Sequence, residues 1–226
     1  MKDKKTVFIT GTSTGIGRQT VILFQKKGWN VVATMRSPEK EKFLNTLDKV
    51  LVTELDVTKP ETITSALSKA KEVFGEIDVL INNAGYGATG PFEQETEEKI
   101  VRQFDTNVFG LFRMIKAILP HFREKKSGTI VNIASVGGRI TFPLYSLYHG
   151  TKWAVEGFTE SLQYELEDFN IKLKLVEPGA IKTDFYTRSA DKVNENDLGP
   201  YQDFHEATMP QIMAAGENGL NPDSVS

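Results

Sequence analysis

Short apolar runs rich in Val and Ile alternate along the chain with longer stretches whose apolar positions recur every three or four residues. The runs are Thr6–Thr10, Asn30–Met35, Val50–Glu54, Ile77–Asn82, Thr129–Ala134 and Ile171–Glu177. Continuous apolar runs mark strands buried on both faces, and interleaving them with amphipathic stretches predicts an α/β fold, a doubly wound parallel sheet of six strands. Helices are predicted near 16–27, 39–47, 60–74, 96–124 and 150–169. Gly28 and Gly75 stand where left-handed caps belong. Thr58 and Glu61 have capping-box spacing, with Pro60 in the first turn, where a missing N–H costs nothing. The stretch 96–124 carries one broad apolar face and predicts a long core helix, kinked or broken near Pro120.

From Ile181 onward the strand pattern stops and the sequence becomes polar and rich in Gly, Pro, Asn and Asp, with short amphipathic pieces around 181–188 and 202–214. It comes after the last strand at its carboxyl end, where open parallel sheets bind ligands. We read 1–226 as one domain, with 181–220 either a lid over a ligand site or a loosely ordered tail. A length of 226 residues suits a single domain.

Composition removes several classes. Twenty-seven basic against thirty acidic residues give a net charge of -3, so no global field favours nucleic acid or an anionic membrane. The absence of cysteine excludes disulfides, thiolate nucleophiles and thiolate metal sites, and three scattered histidines make a poor zinc cluster. The first apolar run is too short for a signal-peptide core or a membrane span. The expectation is a cytoplasmic protein without a metal.

Four places could carry chemistry. After the first strand comes Thr10-Gly11-Thr12-Ser13-Thr14-Gly15-Ile16-Gly17. Glycines there let backbone approach a pyrophosphate while a helix N-terminus supplies N–H groups and partial positive charge; they also serve a turn tightened only for helix–strand packing. At the end of the second strand, where an acidic residue would favour NAD, stand Met35 and Arg36. Arginine suits a 2′-phosphate, with Ser13 or Thr14 adding a hydroxyl, so NADP(H) is expected over NAD(H); a surface arginine can also merely solvate a strand end. The fourth strand ends in Asn82-Asn83-Ala84-Gly85, small residues that keep a cleft open or simply terminate a strand. Ser135 ends the fifth strand, and Tyr148 and Lys152 come next at helical spacing. A separation of four puts phenol and ammonium on one helix face. At roughly 4 Å and an effective dielectric near 20, the lysine would favour the phenolate by about 4 kcal/mol. That would carry the tyrosine from roughly 10 toward roughly 7, the range of a general acid–base. Alone, such a pair is an everyday helix feature.

Taken in order, these residues resemble the classical short-chain dehydrogenase/reductase family across about residues 5–185. The match runs through Thr10-Gly11-x-x-x-Gly15-Ile16-Gly17, Asp56-Val57, Asn82-Asn83-Ala84-Gly85, Asn107, Ser135, Tyr148-x-x-x-Lys152 and Pro178-Gly179 with Thr183. The resemblance implies a Rossmann-like fold with the cofactor across the carboxyl ends of the strands. It implies that Asp56 and Val57 border the adenine, that Asn83, Ala84 and Gly85 line the ribose and nicotinamide side, and that Pro178, Gly179 and Thr183 contact the nicotinamide end. By the same likeness Tyr148 exchanges a proton with the substrate oxygen. Lys152 lowers its pKa and holds the ribose, Ser135 orients the oxygen, and Asn107 holds a relay water.

The implied activity is an oxidoreductase interconverting a hydroxyl and a keto group of a small or medium alcohol or ketone; the alternative is a regulatory module that binds dinucleotide without catalysis. Apolar residues near the pocket, Phe142, Leu144, Phe185 and Tyr186, lean toward a lipophilic substrate, with Tyr145 and His149 as wall or packing residues. The family usually continues into a seventh strand. Either a remainder continues beyond Ser226 into that strand, or Ile171–Glu177 is left as an edge that could pair with another copy, so a homo-oligomer is open.

Overall fold

The computed structural model describes residues 4–186, 190–194 and 198–225. The six expected strands form, with ends shifted by one or two residues: β1 Thr6–Ile9, β2 Asn30–Met35, β3 Val50–Glu54, β4 Val79–Asn82, β6 Gly128–Ile133 and β7 Ile171–Val176. They make one parallel sheet in the order β3-β2-β1-β4-β6-β7, the Rossmann-like arrangement, and β7 is an edge strand. The order reverses between β1 and β4, and the loops leaving their carboxyl ends diverge there to open a crevice.

The pleat sorts side chains into two cores. In β1, Val7 and Ile9 join Val31, Ala33 and Met35 of β2 in one apolar cluster with Val21 of helix α1 (Gly15–Lys26). Phe8 and Val32 point the other way. There they meet helices α2 (Pro60–Phe74), α4 (Gly110–Lys125) and α5 (Ser146–Leu166), which contribute Ile63, Met114, Ile118, Phe122 and Val155 among others.

Several predicted details change. The stretch near 39–47 is not one helix but two short 3₁₀ turns, Pro38–Lys40 and Leu44–Thr46. The capping box does not form, because the Thr58 hydroxyl and N–H both donate to Asp56 Oδ1, at 2.7 and 3.0 Å, and Lys59 takes the N-cap position. Pro60 does occupy the first turn, and Gly28 and Gly75 have the expected positive φ, 84° and 78°.

The long helix is interrupted, but not at Pro120, which lies inside α4. Helix α3 (Glu97–Phe104) passes into a π-helical turn, Asp105–Phe109, before α4 begins. A proline within a helix frees the carbonyl four residues back, whereas a π-turn inserts an extra residue and rotates the succeeding turns about the helix axis. That turn carries Asn107.

Two elements escaped the sequence reading. Strand β5 (Gly87–Thr89) pairs in parallel with β8 (Ala190–Lys192), tying the segment after β7 to the loop after β4. Helix α6 (Gln202–Glu217) comes next, and Leu220 bridges back to Ile181. Of the expected lid, 187–189 and 195–197 lie outside the described residues, as do 1–3 and 226 of the chain. Among the described residues no helix is long and apolar enough to cross a membrane, and no group of three His, Asp or Glu could hold a metal.

Candidate active site

The glycine loop is held open by its neighbours. Gly11 lies at φ 70°, and a Cβ there would fall 2.8 Å from Ala84 Cα, so only glycine allows β1 and β4 to leave the sheet this close together. The Thr10 hydroxyl accepts from the N–H groups of Asn83 and Ala84, both at 3.0 Å, and Asn83 Nδ2 donates to the carbonyls of Thr10 and Gly11, both at 2.9 Å. Asn83 therefore supports the loop from behind. Gly17 belongs to the same packing, since a Cβ there would strike Asn83 Nδ2 at 2.4 Å and Gly11 O at 2.5 Å. Thr14 is the N-cap of α1 without a side-chain cap bond, and no acidic residue stands in the first turn. A helix start of this kind attracts an anion.

In front of this loop runs a cleft of about 1210 Å³. It is lined by Gly11, Thr14, Gly15, Ile16, Arg36, Asp56, Val57, Asn83, Ala84, Gly85, Ser135, Tyr148, Lys152, Pro178, Gly179 and Thr183. The expected positions that do not line it are Ser13, which is exposed, Gly17, which packs behind the loop, and Asn107, which is buried. Gly15, at φ 58°, would send a Cβ to 3.5 Å from Thr183 Cγ2 across the cleft. Side-chain bulk is thus missing where a pyrophosphate needs backbone approach, and the donor set fits a dinucleotide. Arg36 is exposed and makes no hydrogen bond or ion pair among the described residues. Ser37 and Lys40 line the cleft beside it. The sequence reading passed over both, although two polar or basic residues within four positions of Arg36 were a usable signal.

The catalytic candidates come from three elements. Ser135 stands just past β6, its Oγ accepting from Gly137 N at 3.0 Å, and it lies close enough to Tyr148 to act on the phenol. Tyr148 and Lys152 lie one turn apart near the start of α5, with Lys152 Nζ 5.6 Å from the centre of the Tyr148 ring and donating to Ile133 O at 2.8 Å.

The expected lowering of the phenol's pKa is not what this state shows. Burial pushes Tyr148 up to about 12, against a smaller downward pull from the Ser135 hydroxyl, and burial brings Lys152 down to about 8. The spacing argument took the ammonium to lie about 4 Å from the phenol oxygen in a solvated setting. The structure instead turns Nζ toward a strand carbonyl and takes both groups out of water, which disfavours both charged forms.

Asn107 occupies the π-turn, almost fully buried. Its Oδ1 accepts from Tyr86 N at 3.1 Å; its Nδ2 donates to Tyr86 O at 2.8 Å and to Thr151 Oγ1 at 3.2 Å. One carboxamide thereby joins the loop after β4 to the helix bearing Tyr148. Gln103, fully buried and absent from the sequence reading, supports the same loop: Nε2 donates to Tyr86 O at 2.9 Å and Oε1 accepts from Ala88 N at 2.5 Å. Only its place four residues before Asn107 could have flagged it.

The outer part of the cleft is aromatic. Phe142, Tyr145, His149, Phe185 and Tyr186 line it, with Thr208, Gln211 and Ile212 of α6. Leu144 does not: it is buried, at φ 61°, with its carbonyl accepting from Gly90 N at 2.9 Å. Asp191 of β8 pairs with Lys99 at 3.2 Å and with Arg102, holding the segment after β7 beside the cleft.

This arrangement agrees with comparisons to known proteins. The family described as short chain dehydrogenase matches residues 5–194. An uncharacterized oxidoreductase of Schizosaccharomyces pombe is 49% identical over 151 residues, 67% of this chain; the chain spans only 64% of that protein's length. A 3-ketodihydrosphingosine reductase of Bacteroides thetaiotaomicron is 36% identical over 220 residues, 96% of this chain and 78% of that protein. Among solved structures, ElxO with NADP bound is 32% identical with a TM-score of 0.81, covering 98% of this chain and 88% of that one. A 3-ketoacyl-(acyl-carrier-protein) reductase from Brucella melitensis complexed with NADH is 27% identical with a TM-score of 0.81, covering 99% and 88%. With its parallel sheet, its glycine loop and its Ser–Tyr–Lys cluster in one cleft, the chain belongs to the short-chain dehydrogenase/reductase family of oxidoreductases.

Proposed function

We propose that this chain is an NADP(H)-dependent oxidoreductase that interconverts a hydroxyl and a keto group on a small or medium, lipophilic substrate, with Tyr148 as the general acid–base. The observation that carries this reading is the meeting of Tyr148, Ser135 and Lys152 in the same cleft as the glycine loop and Arg36. NADPH, when bound, supplies the hydride. The α1 N-terminus and the backbone of Gly11, Gly15 and Ile16 hold the pyrophosphate; Arg36, with Lys40 and Ser37 beside it, receives the 2′-phosphate. Asp56 and Val57 border the adenine; Asn83, Ala84 and Gly85 wall the ribose side, and Pro178, Gly179 and Thr183 the nicotinamide end. Relatives with NADP and with NADH bound both occur in the family, so Arg36 decides the choice here.

In reduction, Ser135 orients the carbonyl oxygen and Tyr148, protonated because it is buried, gives that oxygen its proton. Lys152 then holds the ribose hydroxyls and stabilises the phenolate left behind. Asn107 keeps one Oδ1 lone pair beyond its bond from Tyr86 N, on the side of Gly85, where the missing Cβ would crowd that oxygen at 3.2 Å. A water held there links Lys152 to solvent. The segment 181–220 acts as the substrate lid, its aromatic residues Phe185 and Tyr186 and helix α6 closing the outer cleft. The relative named for reduction of a 3-keto compound favours a keto substrate.

The test is Tyr148→Phe. Turnover of a panel of ketones and alcohols, followed by NADPH absorbance, should fall about 10²–10⁴-fold, while NADPH binding by fluorescence persists. Unchanged turnover removes Tyr148 from the chemistry; binding without turnover by the native chain on any panel member favours the non-catalytic module.

A further inference from the structure

His149 directly succeeds Tyr148, yet the proposed chemistry leaves it without a task. It is 4% exposed and lines the aromatic part of the cleft. Phe142 N donates to its Nδ1 at 3.4 Å, and its ring stacks on Tyr145 at a centroid distance of 5.9 Å. An imidazole whose Nδ1 accepts a backbone N–H carries its proton on Nε2. Burial lowers the pKa of the ring, which keeps it neutral in the physiological range. Nε2–H is therefore a donor, and it has no hydrogen-bond partner among the described residues.

Its position relative to the reacting groups is fixed by Gly137. A Cβ on that glycine would sit 3.1 Å from His149 Nε2 and 3.4 Å from Ser135 Oγ. Both atoms crowd the position of that Cβ, with His149 Cδ2 nearer still at 2.8 Å, so Nε2 lies within a few ångström of Ser135 Oγ, and the His149 ring centre is 6.1 Å from that of Tyr148. Ser135 is the group that orients the reacting oxygen. A donor that close to Ser135 can reach only an oxygen carried by a carbon close to the reacting one. A bound plain ketone that shuts water away from Nε2 leaves that donor unpaired, a cost that a substrate with a second acceptor avoids.

We propose that His149 Nε2 is a specificity-determining donor that receives a second oxygen of the substrate, so that the preferred substrates are lipophilic ketones or alcohols carrying a hydroxyl, keto or ester oxygen on a carbon adjacent to the reacting carbon or one further. The inference rests on the oxidoreductase reading above. Gly137 is part of the device, because any side chain there would push the imidazole aside.

The test compares matched pairs: a 2-alkanone with the 3-oxo ester and the 4-hydroxy-2-alkanone of the same chain length, assayed with NADPH. Native protein should favour the dioxygenated member about 10–100-fold in kcat/KM, the range one unpaired buried donor commands. His149→Phe, which keeps the ring and loses the donor, should bring that ratio to within about twofold of unity, and His149→Gln, whose amide can donate from a similar reach, should restore part of it. NADPH binding and the unfolding midpoint of each variant show whether the fold survives. A preference absent from the native protein, or retained in His149→Phe, overturns the inference, as does one that disappears in Tyr145→Phe but not in His149→Phe. Failure of every ketone and alcohol with native protein instead overturns the oxidoreductase reading itself.

Discussion

Asn107 offers a way to separate architecture from proton relay. Replacing it by Ala removes three hydrogen bonds, but the partners do not suffer equally. Tyr86 O still receives Gln103 Nε2 at 2.9 Å, and Thr151 Oγ1 still donates to Tyr148 O at 2.7 Å. Tyr86 N is the group left without its acceptor. An orphaned, partly buried N–H costs about 1–3 kcal/mol, and each bond whose partner is otherwise satisfied about 0.5–1.5 kcal/mol. Together these give a destabilisation of about 2–6 kcal/mol. In a chain of this size, about 2–4 °C of Tm accompanies each kcal/mol, so Tm should fall by about 4–24 °C. Urea unfolding monitored by the fluorescence of Trp29 and Trp153, with calorimetry alongside, measures the change. Turnover should fall as well, since Tyr86 and the start of α5 lose their common tie. A side chain whose sole task is to hold a relay water would lower kcat and leave unfolding unchanged. An Asn107→Ala variant within about 0.5 kcal/mol of native therefore refutes the reasoning.

Three more outcomes are expected from the geometry. Arg36→Asp should weaken NADPH far more than NADH, because a carboxylate repels the 2′-phosphate and accepts from a 2′-hydroxyl; equal losses in two titrations would strip Arg36 of that role. Glu156 is buried, its Oε2 is 3.0 Å from Arg139 Nη2, and burial, then the neighbouring Glu177, raises its pKa from 4.5 to about 7. The folded chain thus holds a proton that the unfolded chain releases above about 4.5, and this stabilisation is lost as pH rises toward 7. The slope is at most about 1.4 kcal/mol per pH unit, and Glu156→Gln should flatten it in urea midpoints taken between pH 5 and 8. In cofactor-free protein, the difference in alkaline ultraviolet titration between native chain and Tyr148→Phe should show no phenolate below pH 10. A step near 7 would mean that Lys152 already faces the phenol.

The elements that build the sheet were legible because parallel strands buried on both faces leave uninterrupted apolar runs, and these positioned Ser135 and the glycine loop to within a residue or two. The short pair β5 and β8 was not, since three residues such as Gly87-Ala88-Thr89 carry no periodicity. Their pairing depends on absent side chains: a Cβ at Gly87 would meet the Phe185 ring at 2.8 Å, and one at Gly90 would meet Val193 at 2.4 Å. The π-turn was hidden for a different reason. Apolar steps of three and four continue through 96–124, so the pattern reads as one helix, and Pro120 draws the eye to the wrong turn. What marks the break is the polar Asn107 with Gly110 three residues on, where a Cβ would strike Val57 at 2.6 Å. That close approach is paid for by local rewinding of the helix.

The sharpest divergence concerns Tyr148 and Lys152. A four-residue spacing guarantees a shared helix face, but it does not fix which way a lysine's long side chain points. Here Nζ bonds Ile133 O, a strand carbonyl, and the charge that would favour the phenolate is itself disfavoured by burial. Both shifts have one cause, desolvation, and both favour the uncharged forms, so this state suits proton donation to a carbonyl better than proton removal from an alcohol. For the phenolate to form, Lys152 must gain a partner that keeps it charged close to Tyr148. The ribose hydroxyls that the proposed function assigns to Lys152 would offer such a partner. On that reading, docking of the dinucleotide, and not the sequence spacing alone, would complete the acid–base pair. The expected signature is a Tyr148 titration that moves toward neutral pH when NADP is added to native protein, and that stays alkaline when it is added to Lys152→Met.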